Sequence, residues 1–246
     1  MTSLANASQA LPSRSGWWVL KGTSFVPALV LLACAGQVVP PPLLTGITEI
    51  EAGWHHTCAV TTAGDAKCWG NNHDGQLGDG TEVDRAIPVD VVGLLNKVQA
   101  ITAGERHTCA LTTAGGVKCW GNNHDGQLGD GTKIDKKTPV DVMGLAGAVK
   151  AITAGWRHTC ALTAAGSVKC WGKNHDGQLG DGTAINRSSP VDVVGLPSGV
   201  RAIAAGGQHA CALNPQFVSC WGDNEDGQLG DGTTADTLAA REEVGL

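Results

Sequence analysis

A unit of 51 residues recurs through this chain, and no other feature constrains the fold as strongly. Gly53, Gly104, Gly155 and Gly206 fall in register, as do His56, His107, His158 and His209. Four units span residues 47–97, 98–148, 149–199 and 200–246, the last with one deletion. The second reads VQAITAGERHTCALTTAGGVKCWGNNHDGQLGDGTKIDKKTPVDVMGL, and the others track it closely. A repeat of this length made of short β-prone runs cannot bury an apolar face alone and must stack on its neighbours. The period therefore predicts an all-β protein, a β-propeller-type array of four-stranded antiparallel blades.

Within a unit the strands read VQAITA, HTCALT, GVKCWG and TPVDV, with no helical periodicity. The 35 glycines are about twice average usage and punctuate these runs. Gly115-Gly116 closes the second and third strands into a hairpin, and Asp125-Gly126, Gly129 and Asp130-Gly131 mark a longer loop before the fourth.

The hairpin sets the cysteines opposite one another. Pairing Cys109 with Cys119 places Leu111 against Val117 and leaves a short loop ending in glycine. Opposed positions in an antiparallel pair lie about 4.5 to 5.5 Å apart at Cα, within disulfide range. The expected bonds are Cys58–Cys68, Cys109–Cys119, Cys160–Cys170 and Cys211–Cys220; in the fourth unit the deletion falls in the turn Asn214-Pro215-Gln216-Phe217. Zinc would call for C-x-x-C pairs or convergent histidines, which this spacing does not supply.

Residues 1–35 read as an export signal: Arg14 and Lys21 precede an apolar run, Phe25 to Ala35, too short to span a bilayer as a helix. Leu31-Leu32-Ala33-Cys34 resembles a lipoprotein processing site, with Cys34 as the lipidated residue; Ala33-Cys34-Ala35 also fits simple cleavage after Ala35. Both routes place the protein outside the cell, as a surface lipoprotein or a secreted chain, and export suits a disulfide framework. Residues 36–46 form a Pro-rich linker. Beyond it lie 15 of the 17 basic side chains and all 23 acidic ones, a balance that repels phosphate backbones. Nucleic acid is not an expected partner, and the membrane is expected only through the lipid anchor.

The run G-x-x-H-T-C-A-L-T-x-x-G-x-V-K-C-W-G-x-N-x-x-G-Q-L-G-D-G-T, with Trp69-Gly70, Trp120-Gly121, Trp171-Gly172 and Trp221-Gly222 at fixed offsets, resembles the regulator of chromosome condensation repeat from Ile47 to Leu246. The resemblance implies propeller blades, commonly seven to a ring. Four units either close a four-bladed ring or leave an open arc with exposed flanks, and the open arc requires self-association or a terminal cap; Ala240-Arg241, in place of Pro-Val, marks the expected cap. Nuclear members act as exchange factors on a small GTPase and contact chromatin, roles that do not suit an exported acidic chain. A secreted bacterial inhibitor of β-lactamase built from these repeats is the nearer functional likeness.

Catalytic chemistry is not expected. The histidines occur once per unit, and radial repetition separates them, so each reads as an imidazole bonded to a neighbouring backbone group. His73, His124 and His175 read as surface loop residues. The aspartates of D-G-Q-L-G-D-G lack the ligand spacing of a calcium loop and read as turn formers, so no cofactor or metal is assigned. The four repeated tryptophans read as packing between blades. What varies is the first turn, Trp54-His55, Glu105-Arg106, Trp156-Arg157 and Gly207-Gln208, together with the loop before the fourth strand, and blade topology puts both at one end. Trp54, His55, Arg106, Trp156, Arg157 and Gln208 are the candidate binding residues, since aromatic and arginine side chains dominate interface hot spots. The expected function is an extracellular protein-binding or adhesive module for a protein or cell-surface ligand. A polysaccharide-degrading propeller enzyme and an inhibitor of a secreted enzyme are the alternatives.

Overall fold

The computed structural model describes residues 43–95, 97–145 and 148–242. The export signal with Cys34 and most of the linker lie outside them.

Each repeat forms one antiparallel sheet whose strands pair in chain order. The first contains β1 (Ile47–Ala52), β2 (His56–Thr61), β3 (Ala66–Gly70) and β4 (Arg85–Asp90); the second β5 (Val98–Ala103), β6 (His107–Thr112), β7 (Val117–Gly121) and β8 (Lys136–Asp141). The third contains β9 (Val149–Ala154), β10 (His158–Thr163), β11 (Val168–Gly172) and β12 (Arg187–Asp192); the fourth β13 (Ala202–Ala205), β14 (His209–Leu213), β15 (Val218–Gly222) and β16 (Thr237–Glu242). The register puts Cys109 opposite Cys119 and Leu111 opposite Val117, and all four cysteine pairs are bonded with Cα atoms 4.1 Å apart. In the fourth sheet Asn214 holds the shortened turn: its Oδ1 accepts from the N–H groups of Gln216 and Phe217.

The outer strands start earlier than the sequence suggests and carry a bulge, the register stepping from Cys68↔Val89 to Gly70↔Arg85. Pro88 sits in that step, where its missing N–H costs no ladder bond. Ala240 takes the equivalent place in β16. It does not cap an outer flank, because its N–H donates back to the carbonyl of Val194 at 3.0 Å.

The apolar core is divided into three layers, each between consecutive sheets. Leu77, Val91 and Leu94 of the first repeat close on Ile101, Ala110 and Trp120 of the second; Leu128 packs with Trp171 in the next layer and Leu179 with Trp221 in the last. Trp120, Trp171 and Trp221 are fully buried, and each indole N–H donates to the carbonyl of Gln76, Gln127 or Gln178 in the preceding repeat. Trp69 has no preceding sheet among the described residues and is half-buried.

Two of the repeated histidines also join sheets, through a side chain rather than the backbone group anticipated. His56 Nε2 lies 2.8 Å from Thr108 Oγ1, and His107 Nε2 lies 2.9 Å from Thr159 Oγ1. Burial drives their pKa down from 6.5, to about 4 for His56 and about 3 for His107 and His158.

The long loop is held by a buried asparagine. Asn72 Nδ2 donates to Asp79 Oδ1 and to the carbonyls of Thr81 and Val83, while its Oδ1 accepts from the Leu77 N–H. Burial alone would raise the Asp79 pKa, but hydrogen bonds from Thr81, Arg85 and Asn72 outweigh it and hold the carboxyl below its usual range. Asn123, Asn174 and Asn224 repeat this arrangement.

Candidate functional site

The first strands β1, β5, β9 and β13 line a central channel, and the turns that follow them rim its mouth. Those turns are fastened from both sides. The Trp54 N–H donates to the Gly104 carbonyl and the Trp156 N–H to that of Gly207, and the residue after each Trp-Gly pair donates to the turn, as Asn71 does to His55. The backbone is thus fixed while the side chains at the two turn positions are free to differ.

Trp54 and Trp156 come from the first and third repeats and stack across the rim, with centroids 5.9 Å apart and planes within 8°. They keep 58% and 49% of their surface exposed, unlike the buried tryptophans of the interfaces. His55 is the other ring neighbour of Trp54, stacked on it at 5.5 Å. Trp156 also lies over Gly207, where a Cβ would come within 2.7 Å of the indole. A glycine in the fourth turn thereby makes room for the ring of the third.

Beside this stack is a cavity of about 320 Å³ bordered by Trp54, Glu105, Trp156, Arg157, Lys173 and Gln208. Arg157 Nε donates to the buried Glu105 carboxylate at 2.9 Å, and that bond raises the guanidinium pKa. Lys173 Nζ donates to Gln208 and to Asp176. Of the candidate binding residues, Trp54, Trp156, Arg157 and Gln208 meet at the cavity. Arg106 and His55 do not border it: the Arg106 guanidinium lies 3.4 Å from Asp74 and 3.5 Å from Glu105, and His55 stacks on Trp54. Sequence reasoning left Glu105 and Lys173 off the candidate set. Glu105 occupies the turn position of the two tryptophans, and Lys173 replaces Asn71 and Asn122, so both were visible as departures from the repeat.

Deeper in the channel, Glu49 and Glu51 stand on β1 where the other repeats carry alanine or threonine. Burial raises both carboxyl pKa values, against which Glu49 accepts the Ile101 N–H at 3.0 Å.

A family model described as an RCC1-like domain matches residues 20–244. The chain belongs to the RCC1-like domain family. As an RCC1-like chain it is 36% identical over 165 residues to the ultraviolet-B receptor UVR8 of Arabidopsis thaliana, covering 66% of this chain and 37% of that protein. It is 38% identical over 169 residues to the probable E3 ubiquitin-protein ligase HERC4 of Homo sapiens, covering 66% of this chain and 16% of the ligase. The chain thus spans little more than a third, or less, of these relatives. Among solved structures, Prp20p of Saccharomyces cerevisiae superposes with a TM-score of 0.73 at 23% identity, over 84% of this chain and 52% of that one; human WBSCR16 gives 0.74 at 24% identity, over 81% and 53%. These last two likenesses establish the fold. Prp20p was described together with its binding to Gsp1p and histones.

Proposed function

We propose that this RCC1-like chain is an exported, non-catalytic binding module that takes a protein or cell-surface ligand on the face rimmed by Trp54 and Trp156. The stacked pair carries the reading. Two large apolar rings, half in solvent and held by a fixed backbone beside a cavity with charged walls, are the make-up of an interface hot spot. Protein recognition by Prp20p supports a protein as the kind of partner. Export rests on Arg14, Lys21 and the apolar run to Ala35, with Cys34 as the anchor. An inhibitor of a secreted enzyme would use the same face.

The test is capture of surface proteins by the intact chain, compared with the Trp54→Ala/Trp156→Ala variant. The variant is expected to keep its fold and weaken binding by about 2 kcal/mol or more per hot-spot ring. Ala114→Lys, exposed in the turn at the opposite end of the second sheet, serves as the control. Binding abolished by the control and untouched by the tryptophan changes would refute the face assignment.

Glu49 and Glu51, two carboxyls with raised pKa in the channel, favour the second reading, an enzyme acting on polysaccharide. Release of reducing sugar from a polysaccharide, abolished by Glu51→Gln, would establish that reading in place of the first.

A further inference from the structure

The interfaces of the array are made from one pair of surfaces used repeatedly, in full at the first two and without the histidine–threonine contact at the third, where Ala210 stands in place of threonine. The forward flank of a sheet offers a histidine Nε2, a glutamine carbonyl and a glycine N–H. The backward flank of the next offers a threonine hydroxyl, an indole N–H and a carbonyl of the outer strand. Between the first two sheets these are His56 with Thr108 at 2.8 Å, Trp120 to Gln76 at 2.9 Å and Gly80 to Lys137 at 3.0 Å. Between the second and third they are His107 with Thr159 at 2.9 Å, Trp171 to Gln127 at 2.8 Å and Gly131 to Ser188 at 2.8 Å.

The two outermost flanks carry the matching halves of this set. The forward flank of the fourth sheet has His209, the Gln228 carbonyl and the Gly232 N–H; the backward flank of the first has Thr57, Trp69 and the Ala86 carbonyl. Each flank is more open than its equivalents inside the array. His209, Gln228 and Gly227 are half-buried where the corresponding residues of the other repeats are buried, and so are Thr57 and Trp69. The loop glycines show the same contrast in distance. A Cβ on Gly75, Gly126 or Gly177 would lie 2.7, 2.6 or 2.6 Å from the outer strand of the next sheet, whereas on Gly227 its nearest neighbour is Thr233 of its own loop, at 3.8 Å. Such a close approach is shaped for a strand, and at Gly227 the described residues supply none.

We infer that the forward flank of the fourth sheet docks on the backward flank of the first sheet of a second copy, so that the chain associates head to tail. A second copy presents the complementary set in the spacing that the first two internal interfaces already use. His209 meets Thr57, the Trp69 indole N–H donates to the Gln228 carbonyl, and the Gly232 N–H donates to Ala86. The contact is heterologous, so it yields a ring where the rotation closes and a longer array where it does not. It involves the sides of the array and is independent of the ligand reading for the face.

The experiment is the solution mass of the full chain by light scattering, with Thr57→Arg and His209→Arg as variants. Both positions are half-exposed in a single copy and buried in an interface, so each arginine reaches solvent in the monomer and obstructs docking. The wild type is expected at twice the monomer mass or more. Each variant alone is expected to be monomeric, since every contact needs one flank of each kind. Mixed in equal amounts, they are expected to form a one-to-one dimer, because the intact flank of each meets the intact flank of the other. A wild type that is monomeric throughout, or an assembly that neither substitution dissociates, overturns the inference; the wild-type mass decides even if one variant fails to fold.

Discussion

His107 and Thr159, 52 residues apart in the chain, meet with Nε2 2.9 Å from Oγ1 and tie the second sheet to the third. The next step of this ladder is broken. The fourth repeat has Ala210 where the others have threonine, and both ring nitrogens of buried His158 lack a partner. Ala210→Thr should supply the missing hydroxyl and raise stability by about 1 kcal/mol, the usual net gain of one hydrogen bond. Urea unfolding reads this as a higher midpoint at unchanged slope; an unmoved or lowered midpoint would show that His158 is satisfied in some other way.

The same histidines set a pH dependence. His56, His107 and His158 have folded pKa values of about 4, 3 and 3 against 6.5 in the open chain. Below pH 6.5 the unfolded chain binds protons that the folded one refuses, so stability falls with pH from 6.5 down to the folded values. Each buried histidine contributes about 1.4 kcal/mol per pH unit in that window. His107→Gln should flatten the slope of stability against pH between 6 and 4; a slope unchanged by the substitution would remove the histidines as its source.

Tryptophans at the two kinds of position should respond in opposite ways. Trp120→Ala empties a buried site and removes the donor to the Gln76 carbonyl, at a cost of about 3 to 5 kcal/mol. Trp54→Ala, with the ring more than half exposed, should cost under about 1 kcal/mol. Equal losses would mean that the Trp54–Trp156 stack is part of the core.

The eight repeat cysteines should yield no free thiol, and peptide mapping without reduction should recover only bonds within a hairpin. Each bond closes a small ring, worth about 2 to 3 kcal/mol in the loop-entropy model. A Cys68–Cys109 bond would contradict the strand register.

Cys34→Ala should release the protein to the medium or leave an unprocessed precursor, and fatty-acid labelling of the wild type checks the anchor directly. A mature chain that begins at Gly36 without label would mean simple secretion.

Blade composition and cysteine pairing could be read from the sequence because both are local. The period fixes which strands are neighbours, and a hairpin of given loop length leaves Cys109 and Cys119 only one register. Contacts between repeats could not be read in the same way. That His56 bonds to Thr108 rather than to a backbone group, or that Asn72 ties its loop to Asp79, follows from distances that no spacing encodes. The variable turns pointed to Trp54 and Trp156, yet their stacking depends on how far the first and third sheets are turned about the channel and on the room left over Gly207. By itself the sequence determined the four-stranded unit and its repetition, since strand period, turn glycines and hairpin length act within a few tens of residues. Only the tertiary structure decided which residues of different repeats face one another, which flank stays open and which candidates share the cavity, because those depend on the angle between sheets, a quantity set by the packing of Trp120, Trp171 and Trp221 in the layers between them.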